Sequence, residues 1–216
     1  LVSLDGIHVS FLKWLIDVGR RSPIDIGQAE LRGSSKGRLI ARSLVPEAHH
    51  GATALDVGCR EGIQTRWLEA KGYTVTSIDI EKVYAKALVV DGDKPLPFRT
   101  GSFDLVWSSE VIEHLENPVM SVGEMMRVLK PGGLLVITTP NSRCWIYRLG
   151  GLLGFPPERI QGVGHKHFFG IADMRRLFPS GRVLGYFPYV LLKFTISYGI
   201  NFLSPTFVVS QRKFGK

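Results

Sequence analysis

The sequence contains no uninterrupted apolar run long enough to span a bilayer, and only 2 cysteines among 216 residues. The first absence excludes a transmembrane helix, which needs about 20 apolar residues. The best candidate, 187–203, is rich in Phe, Tyr, Leu and Ile but is broken by Lys193 and bounded by Pro188 and Pro205. The second absence excludes a disulfide framework, so Cys59 and Cys144 read as small packed residues. A secretion signal is missing as well: the apolar stretch 7–18 is interrupted by Lys13 and Asp17 and reads as an amphipathic helix. The expected compartment is the cytoplasm. The chain opens on Leu1, so its initiating methionine is expected to lie upstream. Charge is biased rather than concentrated. A net +8 is spread over clusters at 20–21, 36–42, 175–176 and 212–216, with no long basic run. Such a bias reads first as a solvated surface; the sharper reading is an anionic partner, either nucleic acid or an acidic membrane surface, and net charge does not choose between them.

What is present is a globular composition, 44% apolar and 21% charged, of a size for one domain with additions. Residues 1–35 read as an N-terminal helical appendage ending in a Gly/Ser loop, and 36–216 as the main domain, opened by a helix at 36–45. Strands are expected near 52–57, 73–79, 87–91, 103–108 and 133–138, with helices near 62–71 and 117–129. This alternation specifies a parallel sheet covered on both faces. Beyond Pro140, the glycines and prolines of 141–169 predict a long loop without regular structure, lying as a lid across the open end of the sheet. A helix near 170–178, a strand near 182–187 and a last strand near 205–211 complete the domain. Segment 187–204 is an apolar insertion, expected to pack on the core or on a second copy in a homodimer.

The most informative stretch is ALDVGCREGIQTRWLEAKGYTVTSIDI, ending at Ile80. An apolar strand, a glycine turn, a helix and a second strand ending in an acid make a crevice for a nucleoside-bearing cofactor. Asp79 stands where a carboxylate accepts from ribose hydroxyls. A dinucleotide turn would require glycine at Gly58, Arg60 and Ile63, and two of these three are wrong.

The turn Asp56-Val57-Gly58-Cys59-Arg60-Glu61-Gly62 instead resembles the E/D-x-G-x-G-x-G motif of class I S-adenosylmethionine (SAM) dependent methyltransferases, with Arg60 in place of the middle glycine. The resemblance continues in order through Asp91-Gly92-Asp93-Lys94-Pro95-Leu96-Pro97-Phe98, Phe103-Asp104-Leu105-Val106, Glu110-Val111-Ile112-Glu113-His114-Leu115 and Leu129-Lys130-Pro131-Gly132-Gly133. It covers roughly 36–140 and is nearest the small-molecule and quinone-type branch. It implies an α/β fold, a Rossmann-like, doubly wound seven-stranded sheet with an antiparallel last strand. It further implies methyl transfer from SAM, with S-adenosyl-L-homocysteine as product, to a small-molecule or lipid-like acceptor. Cofactor contacts are implied for Asp56, Gly58, Cys59, Gly62, Asp79, Ile80, Asp91, Gly92, Ser109 and Glu110, with Asp91 beside the adenine.

Methyl transfer from a sulfonium needs positioning more than acid–base help, and a base only where the acceptor must lose a proton. Glu110, Glu113, His114 and Asn141 fall at the carboxyl ends of the fourth and fifth strands. Glu113, His114 and His165 are the catalytic candidates. If residues 110–114 are helical, Glu110, Glu113 and His114 share a face. With His165 or His167 they have the composition that a divalent ion accepts. E-x-x-E-H with a later His is also similar to metal-dependent small-RNA ribose 2′-O-methyltransferases, which implies Glu110, Glu113, His114 and His165 as ligands. The chain departs from those enzymes at Gly164 and at His167-Phe168, and a polar pocket without a metal is the preferred reading. Trp107, Trp145, Phe168 and Phe169 are candidates to line the acceptor cavity. An RNA methyltransferase and a catalytically silent SAM-binding protein are the alternatives.

Overall fold

The computed structural model describes residues 36–161, 164–187 and 194–215. The appendage 1–35 and its helix at 7–18 lie outside the described residues. The elements run α1 (Lys36–Ser43), β1 (Thr53–Val57), α2 (Ile63–Ala70), β2 (Thr74–Asp79), β3 (Leu88–Val89), β4 (Phe103–Ser109), α3 (Pro118–Val128) and β5 (Leu129–Pro140). There follow α4 (Trp145–Leu152), α5 (Pro157–Ile160), α6 (Ile171–Leu177), β6 (Arg182–Tyr186), β7 (Thr195–Ile196), α7 (Ile200–Leu203) and β8 (Thr206–Arg212). One sheet results, in the order β3-β2-β1-β4-β5-β8-β6-β7.

The first five strands are parallel, while β8 is antiparallel to both β5 and β6. Successive residues of a strand point to opposite faces, and both faces here are buried. Leu55, Val57, Val106, Leu135 and Ile137 pack with Val122 and Met125 of α3 and Met174 of α6. Their neighbours Ala54, Leu105, Trp107, Leu134 and Val136 pack on the other side with Ile40 and Ala41 of α1 and Leu68 of α2. Strand order reverses between β1 and β4. The two chains of connections therefore part there, and a crevice opens beyond the carboxyl ends of β1 and β4.

Two expectations are corrected. Among the described residues the sheet has eight strands rather than seven, because Thr195 and Ile196 add β7 antiparallel to β6 at the far edge. These residues belong to the apolar insertion 187–204, whose α7 also buries Ile200 in the core. The predicted lid 141–169 is not devoid of regular structure, since it forms α4 and α5. Of the glycines there, Gly150 and Gly151 lie inside α4, and Pro157 opens α5, where a proline needs no N–H partner. Among the described residues, no helix is long and apolar enough to cross a membrane.

Candidate active site

A cleft of about 850 Å³ lies at the strand-order reversal. Its floor is the β1–α2 turn. Gly58 and Gly62 both hold left-handed backbone, at φ 73° and 72°. A Cβ on Gly58 would stand 2.3 Å from Val111 Cγ2, and one on Gly62 would stand 2.7 Å from the Tyr84 ring. Only glycine satisfies both demands. Arg60, which replaces the middle glycine, is also left-handed at φ 43°, a conformation that costs a side-chain-bearing residue about 1–2 kcal/mol. Its N–H is anchored on Asp79 Oδ2 at 2.8 Å.

Asp79 ends β2 on the cleft wall, beside the exposed Ile80. Its second oxygen accepts from the Glu81 N–H at 3.2 Å. Each carboxylate oxygen keeps a further lone pair, so a diol can still be bound. Asp56 is fully buried and accepts from Thr65 Oγ1 at 2.6 Å, and that hydroxyl lies 2.8 Å from Ser77. Burial pushes its carboxyl up to about 6 against the opposing Thr65 hydrogen bonds. Asp56 thus braces the turn from below. Cys59 lines the cleft as an inert thiol, pushed up to about 12 by burial and by the Asp56 and Asp79 charges.

On the opposite wall Asp91 accepts from the Asp93 N–H at 2.9 Å and meets Lys94 Nζ at 3.4 Å. The Asp93 N–H, ahead of Lys94, draws its carboxyl below the usual range. Gly92 leaves room for Leu115, which a Cβ would approach to 3.2 Å. Asp93 itself accepts from the Glu116 and Asn117 N–H groups at 2.7 and 3.1 Å and ties this loop to the head of α3.

Residues 111–115 form no helix, only a turn at 112–114, so the expected helical face of Glu110, Glu113 and His114 does not exist. Glu110 takes left-handed backbone at φ 58°. Thr138 and Thr139, consecutive on β5, point to opposite faces and hold one carboxylate each. Thr138 Oγ1 donates to Glu110 Oε1 at 2.8 Å, while Thr139 Oγ1 donates to Glu113 Oε2 at 3.0 Å. Ser109 Oγ lies 2.8 Å from Thr138 Oγ1 and accepts from Arg38 Nε at 3.1 Å. A polarised chain therefore runs from Arg38 through Ser109 and Thr138 to Glu110.

Glu113 is buried, and burial, with the Glu110 charge behind it, raises its carboxyl well above the usual range. Its backbone carbonyl accepts from the Lys166 and His167 N–H groups at 2.8 and 3.1 Å, which brings the GHKHF stretch across the cleft. His114 Nδ1 lies 3.1 Å from the Gly164 carbonyl. A carbonyl only accepts, so that partner assigns the proton to Nδ1 and leaves Nε2 with a lone pair. The His114 and His165 rings meet edge to face with centroids 4.7 Å apart. One donor atom each from Glu113, His114 and His165 fall within 4.8 Å of one another. Three of the four residues expected in a cation site thus converge as a donor set that a divalent ion accepts, while Glu110 belongs to the Arg38 chain.

Asn141 is not a base candidate. It is fully buried, and its amide donates to the carbonyls of Ile200, Asn201 and Ser204 at 3.1, 3.1 and 2.6 Å. Among the aromatics, Trp107 lines the cleft, whereas Phe169 packs in the core and His167 stacks on it. Tyr147, Gln161, Lys166 and Arg38 also line the cleft and were not singled out from the sequence. Arg38 carried only the signal of a basic cluster at 36–42, which does not distinguish a solvated residue from one turned inward.

Residues 55–137 match the family described as "Methyltransferase domain". Over 106 residues the chain is 38% identical to the 2-methyl-6-phytyl-1,4-hydroquinone methyltransferase of Synechocystis sp., covering 43% of this chain and 33% of that protein. Over 105 residues it is 33% identical to the ubiquinone biosynthesis O-methyltransferase of Xanthomonas oryzae pv. oryzae, covering 42% of this chain and 44% of that one. The chain spans less than half the length of these two relatives. Its fold is that of an S-adenosylmethionine dependent methyltransferase from Mesorhizobium loti, at a TM-score of 0.60 and 18% identity over 83% of this chain and 99% of that one.

Proposed function

We propose that this chain, whose residues 55–137 match a methyltransferase domain, is a class I SAM-dependent methyltransferase that methylates a hydroxyl of a small, apolar acceptor of the phenol or quinol class. When bound, SAM supplies a methyl group already activated on its sulfonium. The residues of the chain bind, orient and exclude water. Asp79 accepts from the ribose diol, Gly58 and Gly62 keep the turn slim enough for close approach, and Asp91 and Gly92 border the adenine. Arg38 and Glu110, of opposite charge and joined through Ser109 and Thr138, suit the carboxylate and ammonium of an amino-acid group.

The observation that carries the acceptor chemistry is the convergence of Glu113, His114 and His165 on the cleft wall. An imidazole lone pair there takes the hydroxyl proton as the oxygen attacks. The opposite ring nitrogen of His114 is fixed by Gly164, and Glu113 is fixed by Thr139. The similarity to a hydroquinone methyltransferase and to an O-methyltransferase of ubiquinone biosynthesis supports the acceptor class. We further read 141–169 as a lid that carries His165 over the acceptor.

The test is transfer of labelled methyl from SAM to a panel of phenols and quinols, with and without EDTA. Transfer that resists EDTA and loses its pH dependence in His165→Ala supports the base. Loss in EDTA, restored by a divalent ion, would assign the trio to a metal instead. SAM binding without transfer to any of the panel would mark a silent binding protein.

A further inference from the structure

The outer face of α4 is built the wrong way round for a solvated helix. Trp145, Arg148, Leu149 and Leu152 share one face by their spacing, while Tyr147, on the other, is buried against the cleft. Leu149, Leu152 and the following Leu153 are 48%, 86% and 67% exposed. An apolar stripe of this kind normally turns inward.

A second apolar group stands on the same rim. Tyr198 and Phe202, flanking the start of α7 and within it, are 88% and 52% exposed. Asn141 binds the Ile200 and Asn201 carbonyls, and Gly170 is wedged between Arg143 and Asn201, so α7 abuts the chain that leads into α4. Arg143 and Arg148 are exposed on this stretch and residues 141–153 contain no acid, while the exposed Arg159 that follows is neighboured by the exposed Glu158.

We propose that this rim is a membrane-contact face, which seats α4 in the headgroup layer of an anionic bilayer with Tyr198 and Phe202 beside it. Arginines interleaved with exposed leucines and interfacial aromatics complement an anionic lipid surface on both counts, charge and apolarity. Phosphates of a nucleic acid would engage the arginines but leave Leu152 and Leu153 without a purpose. α4 also borders the cleft, since Tyr147 on its buried face lines it. An apolar acceptor can then pass from bilayer to cleft without crossing water. That use rests on the acceptor class proposed above, whereas the binding does not.

Sedimentation with vesicles rich in phosphatidylserine, compared with phosphatidylcholine alone, tests the face. The wild-type chain is expected to bind the anionic vesicles, weakly bind the neutral ones, and release in high salt. Leu152→Asp/Leu153→Asp is expected to lower vesicle affinity at least about tenfold, and Arg148→Ala about fivefold. SAM affinity by calorimetry should stay unchanged in each variant. Should the double aspartate variant lose SAM binding, Tyr198→Ala/Phe202→Ala carries the same expectation on a separate element. The proposal is overturned by wild-type chain that ignores anionic vesicles, by variants that bind them as tightly as wild type, or by equal binding to neutral vesicles. Salt-sensitive RNA binding without vesicle binding would reassign the arginines. A dimer broken by the leucine substitutions, again without vesicle binding, would reassign the face to a second copy. Vesicle binding without methyl transfer would refute the proposed acceptor and leave the membrane face standing.

Discussion

Substituting Gly58 by alanine tests the glycine turn between β1 and α2 at its tightest point. At φ 73° the new side chain sits in left-handed backbone, a penalty of about 1–2 kcal/mol. Its Cβ would also stand 2.3 Å from Val111 Cγ2, well inside the ~3.5–4.0 Å at which carbon atoms rest. Relief requires movement of a half-buried valine that opens the turn carrying Glu113 and His114, and overpacking of this kind costs about 1–3 kcal/mol. Gly58→Ala is therefore expected to destabilise the chain by about 2–5 kcal/mol in urea unfolding, with the slope unchanged. Val111→Ala alone should cost about 1 kcal/mol for its lost methyl groups. In the double variant the methyl groups that clash are gone and only the backbone penalty remains. The double variant should then be more stable than additivity requires, by about 1–3 kcal/mol. Additive costs within about 0.5 kcal/mol would refute the steric argument. Gly62→Ala should be milder, because its obstacle is the ring of Tyr84, a side chain that can swing outward.

Three further outcomes are expected. Asp79→Ala should weaken SAM binding by about 1.5–3 kcal/mol, the scale of hydrogen bonds to a charged group, and unchanged calorimetric affinity would remove Asp79 from the ribose. Asn141→Ala leaves buried carbonyls of α7 and Ser204 without their donor and should cost about 2–4 kcal/mol in thermal unfolding, whereas a loss below about 1 kcal/mol would mean that the amide is no clamp. Partial burial raises the Asp104 carboxyl, but Lys130 and the Thr53 N–H and hydroxyl outweigh it and hold the group at about 2. With an unfolded value near 3.9, its stabilisation is full above about pH 4 and is lost as pH falls through about 2. Allowing for solvent screening it amounts to about 1–2 kcal/mol, so Asp104→Asn should flatten the pH dependence of the urea midpoint in that window. A midpoint that varies with pH as in wild type would refute this.

The sequence by itself determined the parallel sheet, because strands that alternate with helices of 8 to 11 residues are joined by crossovers and leave both faces of the sheet covered. It also determined the glycine turn between β1 and α2. Gly58 and Gly62 answer a local demand for left-handed backbone and a close approach, and local demands are written in local residues. The family resemblance likewise placed Asp79, Asp91, Glu113, His114 and His165 on one cleft. What tertiary structure alone decided was the partner of each of these groups. Glu110 and Glu113 are parted not by helical spacing but by the alternation of Thr138 and Thr139 on β5, 26 to 28 residues away in the chain. Arg38 becomes a cleft residue only because α1 packs against the sheet and brings its guanidinium to Ser109, 71 positions on. Asn141, which by position alone could have been a base, is a clamp because α7 folds back over it. The two-residue β7 and the four-residue α5 are too short to carry a periodic signal, and α4 is obscured by Gly150 and Gly151, residues that disfavour a helix unless packing supports it. Contacts that join distant positions have no pattern in a single chain, and the chemistry of a carboxylate or an imidazole follows from those contacts.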